Sequence, residues 1–98
     1  MVRRTPNKAG KTARVTFELP PQVGARSASV CGEFNDWSPE MHPLKPRKDG
    51  GFSATVTLPV GRAYRYRYLV DGERWENDWS ADEYAPNGFG GDDSVVHL

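Results

Sequence analysis

Tyr64-Arg65-Tyr66-Arg67-Tyr68-Leu69-Val70-Asp71-Gly72 is the most regular stretch of the chain. Tyr64, Tyr66, Tyr68 and Val70 alternate with Arg65, Arg67 and Leu69, the period-2 pattern of a strand with one buried face. Asp71-Gly72 supplies a hairpin turn, and a short strand is predicted near Trp75. The same alternation recurs upstream. Val15, Phe17 and Leu19 alternate with Arg14, Thr16 and Glu18 until Pro20-Pro21 ends the run. Ala28 and Val30 alternate with Ser29 and Cys31, and Gly32 follows. Phe52, Ala54, Val56 and Leu58 alternate with Ser53, Thr55 and Thr57, then Pro59-Val60-Gly61 turns the chain. Lys48-Asp49-Gly50-Gly51 is a turn, a short strand is expected around Leu44, and Val95-Val96-His97-Leu98 reads as the last strand. Residues 76–93 read as a long irregular stretch. No window carries a helical stripe. About seven short strands with closely spaced turns predict an all-β sandwich.

The chain has 98 residues, of which 37% are hydrophobic, enough for one domain with one core. No apolar run is long enough to span a membrane. Met1-Val2-Arg3-Arg4-Thr5-Pro6 lacks the apolar segment of a secretory signal. Cys31 is the single cysteine, so neither an internal disulfide nor a multi-cysteine zinc site is available. These features suit a cytoplasmic protein. The net charge is zero but unevenly spread: residues 1–14 carry five basic and no acidic residues, residues 71–98 one basic and eight acidic. Residues 1–12 read as a flexible basic arm and residues 13–98 as the folded domain. A neutral total argues against a nucleic-acid or membrane partner.

Two tryptophans fall outside the alternating runs. Trp37 lies among Asn35, Asp36, Ser38 and Pro39, and Trp75 among Glu73, Arg74, Glu76, Asn77 and Asp78. An exposed indole offers a flat apolar face and one N–H donor. That face matches the C–H-rich face of a sugar ring, while neighbouring polar groups reach the hydroxyl rim. The other reading is that each indole folds back over an edge of the sandwich.

Gly32-Glu33-Phe34-Asn35-Asp36-Trp37 resembles the G-x-F-N-x-W signature of family-48 carbohydrate-binding modules. That family includes the glycogen-binding domain of the AMP-activated protein kinase beta subunit and the N-terminal domains of isoamylase-type and branching enzymes. Leu58-Pro59-Val60-Gly61 is similar to its L-P-x-G turn, and Tyr66–Gly72 to its Y-[KR]-[FY]-x-V-D-G strand and turn. Trp75 falls where the family has a second tryptophan, and residues 86–96 look like its closing loop and last strand. The resemblance covers roughly residues 13–98. It implies an immunoglobulin-like, early-set β-sandwich that binds α-1,4-glucans such as glycogen or starch without catalysis. Trp37 and Trp75 would stack on glucose rings. Arg67 stands in place of a lysine that donates to hydroxyls, Phe89 in place of a leucine that leans on a ring, and Asp93 in place of a hydroxyl-binding asparagine. Gly91 replaces a hydroxyl residue. The implied partners are an α-glucan polysaccharide or malto-oligosaccharide, and a glucan-metabolising enzyme or kinase-type protein. No cofactor or metal is implied.

Chemistry-bearing motifs are otherwise sparse. His42 and His97 belong to no metal-ligand pattern, and Gly88-Phe89-Gly90-Gly91 precedes a strand, unlike a phosphate loop. Acidic residues abound in 71–93, but a glycosidase needs two carboxyls facing each other across a cleft, which a single small sandwich rarely builds. Arg62, Arg65 and Arg67 interleave with tyrosines as in single-strand nucleic-acid binders, but strand phase puts the two residue types on opposite faces. A protein-docking module of the same fold, with weak or no sugar binding, is the main alternative. Trp79 is expected to pack under the long loop.

Overall fold

The computed structural model describes residues 2–7 and 9–98. Among the described residues nine strands occur in order: β1 (Val2–Pro6), β2 (Thr12–Leu19), β3 (Ala28–Gly32), β4 (Lys45–Pro46), β5 (Phe52–Pro59), β6 (Ala63–Val70), β7 (Arg74–Glu76), β8 (Glu83–Pro86) and β9 (Asp92–His97). One short 3-10 turn, Pro21–Val23, follows β2. They form two antiparallel sheets. One runs β1-β2-β5-β4, the other β3-β6-β9-β8 with β7 also on β6. The all-β sandwich is as expected. No helix among the described residues is long and apolar enough to cross a membrane.

The core lies between the sheets and follows the sequence alternation. Val15, Phe17 and Leu19 of β2 meet Val30 of β3 and Tyr64, Tyr66, Tyr68 and Val70 of β6 in one cluster. Tyr66 and Tyr68 pack edge to face with ring centroids 5.9 Å apart, and Tyr66 meets Phe17 at 4.9 Å. With the tyrosines buried, Arg65, Arg67 and Leu69 stand on the outer face of the five-stranded sheet.

Two features differ from the sequence reading. Residues 2–6 lie in no arm: Val2–Pro6 pairs with β2 from Val2↔Phe17 to Pro6↔Ala13. Strand β8 sits inside the stretch read as irregular, pairing Glu83–Pro86 with β9. Both are edge strands in which charged residues and proline replace apolar alternation, a composition that blunts edge-to-edge association.

Each side of the sandwich is closed differently. On one side, the chain after β3 returns along that strand's free edge: the Val30 N–H donates to His42 O (3.1 Å) and the Leu44 N–H to Ala28 O (2.8 Å). Leu44 thereby enters the core, and the chain passes into β4 of the other sheet. On the opposite side, Arg4 of β1 pairs with Asp82 just before β8, and Asp82 also accepts the His97 N–H at 2.8 Å.

A polar cluster is buried beneath the 77–84 segment. Asp78 is 1% exposed and accepts the hydroxyls of Tyr66 (2.8 Å) and Tyr68 (3.3 Å). Its backbone N–H donates to Ser94 Oγ, and its carbonyl accepts the Tyr84 hydroxyl. Burial, and then the Asp78 charge, push both tyrosine pKa values well above normal, so both remain hydroxyl donors.

Candidate functional site

The loop after β3 is built on Gly32. A Cβ there would lie 2.5 Å from Arg65 O and 2.9 Å from Tyr66 Cβ, so only glycine fits beside β6. Phe34 then turns inward and stacks on Phe17, centroids 5.4 Å apart. Asn35 is buried and acts as the loop's clamp. Its Oδ1 accepts the Gly32 N–H (3.0 Å), and its Nδ2 donates to Val30 O (3.0 Å) and lies 2.8 Å from His42 Nδ1. Asp36 and Trp37 both take left-handed backbone angles, φ 54° and 59°. Side-chain-bearing residues adopt that region at a cost. The turn is held by the Trp37 N–H donating to Gly32 O at 2.9 Å. The motif is therefore mechanical: glycine for close approach, phenylalanine as anchor, asparagine as clamp, tryptophan presented.

Strand register assembles the rest. Trp75 of β7 faces Leu69 of β6, which puts its indole on the same outer face as Arg65 and Arg67. Val95 of β9 faces Arg65, and Asp93, two residues earlier, shares that face. The 86–91 loop rises beside it. Asn87 Oδ1 accepts the N–H groups of Phe89 (2.9 Å) and Gly91 (3.4 Å), which leaves Phe89 at the tip, 95% exposed.

An open cleft of about 460 Å³ runs over this face, lined by Glu33, Trp37, Arg65, Arg67, Trp75, Asn87, Phe89 and Asp93. All five residues singled out in the sequence, Trp37, Arg67, Trp75, Phe89 and Asp93, lie along it. Trp37 is half-buried and Trp75 is 43% exposed. The Arg67 guanidinium lies 5.7 Å from the Trp75 ring centroid, within cation–π range. Arg67 Nε is a buried donor without a hydrogen-bond partner among the described residues. Asp93, by contrast, is committed. One oxygen takes Arg65 Nη1 and the other Asn87 Nδ2, each at 3.3 Å.

Glu33, Arg65 and Asn87 complete the lining and were not singled out in the sequence. Glu33 Oε1 accepts the Arg65 N–H at 2.8 Å, locking the loop to β6. Arg65 also donates to Pro86 O at 3.0 Å, tying β6 to the 86–91 loop. The cleft thus combines three aromatic side chains with Arg67 and with Arg65, which is paired to Asp93. Trp79 does not pack under the loop: it is 55% exposed, outside this cleft, with its Nε1–H donating to Glu76. Among the described residues no cluster of three or more His, Cys, Asp or Glu is placed to hold a metal. Burial pushes the Cys31 thiol pKa up, which keeps it unreactive.

A two-sheet β-sandwich with an aromatic-walled cleft on one outer face has the build of a carbohydrate-binding module. Residues 8–89 match the family described as the glycogen recognition site of AMP-activated protein kinase, and the chain belongs to that family. It is also similar to the 1,4-alpha-glucan branching enzyme GlgB of Novosphingobium aromaticivorans, 43% identical over 47 residues, which is 46% of this chain and 6% of that enzyme. The corresponding enzyme of Mesorhizobium japonicum is 33% identical over 48 residues, 49% of this chain and 6% of the enzyme. Carbohydrate recognition of the glycogen type is the function class that the family defines.

Proposed function

We propose that the chain is a non-catalytic module that binds α-1,4-glucans along the outer face of β6, with Trp37 and Trp75 as stacking platforms. The observation that carries this reading is the convergence of both indoles, Arg67 and the exposed Phe89 on one open cleft. Arg67 donates to ring hydroxyls, and Phe89 leans on a sugar edge. Asp93 has a double part: its two protein bonds order Arg65 and Asn87, and its remaining lone pairs accept a hydroxyl proton. The relatives are named as glucan-branching enzymes, which supports an α-glucan as ligand. Such an enzyme is the natural partner, the module holding glucan while catalysis occurs elsewhere. A cytoplasmic location accords with the single cysteine.

The ligand is neutral and the cleft is open, so affinity should be modest, roughly micromolar to millimolar. The test is titration of glycogen and maltoheptaose into wild type, Trp37→Ala and Trp75→Ala. Each substitution removes a stacking ring and should weaken binding by about 1–3 kcal/mol, by analogy with base stacking. Folded wild-type protein that binds neither ligand at millimolar concentration overturns the proposal in favour of protein docking.

A further inference from the structure

A second cleft lies apart from the first and shares no residue with it. It measures about 330 Å³ and is lined by Pro20, Pro21, Gln22, Arg47, Trp79 and Ser80, among others. Trp79 is the most exposed of the chain's tryptophans for which exposure decides a role, at 55% against 43% for Trp75. Its N–H is oriented by Glu76 Oε1 at 3.2 Å. The two flat prolines that end β2 and the indole give the cleft apolar surface. Gln22 and Ser80 add uncharged donors and acceptors.

The charged groups around this cleft already have protein partners. Glu18 is paired with both Arg3 and Arg47, the latter at 3.2 Å. Asp49 Oδ1 accepts the Gly51 N–H at 2.8 Å. With Asp49, and with Glu76 that holds the Trp79 N–H, three carboxylates stand against Arg47 and the neighbouring Arg3, a net charge of −1. Such a surface disfavours a phosphate or an acidic peptide, and its indole, prolines and uncharged polar groups suit a neutral, hydroxyl-bearing ligand.

Trp79 also stands only four residues beyond Trp75, at most about 14 Å between Cα atoms. Glu76, between them, pairs in register with the inward-facing Tyr68, so β7 separates the two indoles. Trp75 faces the outer side of its sheet, whereas Trp79 lies against the end of β2.

We infer that Trp79, with Pro20, Pro21, Gln22 and Ser80, forms a second α-glucan-binding surface, so that one domain engages a polymer at two places. The inference rests on the glucan-binding reading of the first cleft. Two linked weak contacts strengthen retention on a long or branched polymer far more than on a short oligosaccharide, because the second contact becomes intramolecular.

The experiment uses the full chain and two ligands, maltotetraose and glycogen. Trp79→Ala should lose roughly tenfold in glycogen affinity while maltotetraose binding at the first cleft, read at the Trp75 indole N–H by NMR, is unchanged. In wild-type protein, millimolar maltotetraose should shift the Trp79 indole N–H at a weaker, separate midpoint, a readout that needs no variant. Wild type that binds glycogen through Trp75 but shows no Trp79 shift and no loss in Trp79→Ala overturns the second surface alone. Wild type that binds no glucan overturns the first reading and the second with it.

Discussion

Arg67 is the residue in which position and chemistry are most tightly joined. Strand phase points it outward between two buried tyrosines, and register sets it beside Trp75. Its guanidinium carbon lies 5.7 Å from the centroid of that indole, and its Nε–H is buried without an acceptor among the described residues. A buried donor left unpaired costs about 1–3 kcal/mol. A lysine supplies one point charge and no Nε–H, and it stacks less well on an indole. Arg67→Lys is therefore expected to weaken maltoheptaose binding by about threefold to tenfold, and Arg67→Ala by more, with little change in melting temperature. Calorimetric titration checks this. A lysine variant equal to wild type would show that the guanidinium plane does not serve the ligand.

At the scale of elements, the loop between β3 and β4 does two jobs at once. It seals the free edge of β3 and presents Trp37. Asn35 links these jobs, since its amide holds Gly32, Val30 and the His42 ring together. Asn35→Ala leaves buried partners unpaired and should lower stability by about 2–4 kcal/mol. Urea unfolding measures that loss. Among the molecules still folded, glucan affinity should fall about as far as in Trp37→Ala, because the left-handed Asp36-Trp37 turn loses its clamp. Core strands such as β2 and β6 were legible in the sequence because burial of one face writes period 2 directly into it. Trp37 and Trp75 stood out as indoles outside the alternating runs, but Arg67, Phe89 and Asp93 were legible as site residues only through the family motif, since nothing local to them says that they line one cleft. Strands β1 and β8 were hidden because an edge strand needs no apolar face, and Arg3-Arg4 or Glu83 looks like loop. Asp78 was hidden for another reason: in the sequence it is one acid among eight in residues 71–98, and only folding sets it against two tyrosine hydroxyls. Asn87 likewise reads as turn chemistry until its side chain is seen to organise the Phe89 loop.

At the scale of the whole molecule, the opposed charges of the two ends of the chain meet. Strand β1 lays Arg4 against Asp82, so part of the basic N-terminus pairs with the acidic C-terminal third and joins one sheet to the other. Asp82 feels opposing influences. Burial acts to raise its pKa, but the His97 N–H and then Arg4, through a hydrogen bond and its charge, outweigh this and hold it below the usual carboxylate value. A carboxyl whose folded pKa is depressed adds stability above its unfolded pKa of about 3.9. That stability disappears as pH falls through the lower, folded value. Arg4→Ala removes two of the lowering influences and leaves burial in place, so the folded pKa rises. At pH 7 the variant should be less stable by about 0.5–1 kcal/mol, the scale of a partly exposed ion pair. The gap should narrow as pH falls through 4 and close once Asp82 is protonated in both proteins. Urea midpoints of wild type and Arg4→Ala at pH 7, 5 and 3 test this. A gap that stays constant across the three would mean that Arg4 acts by packing β1 against β2 and not by its charge on Asp82.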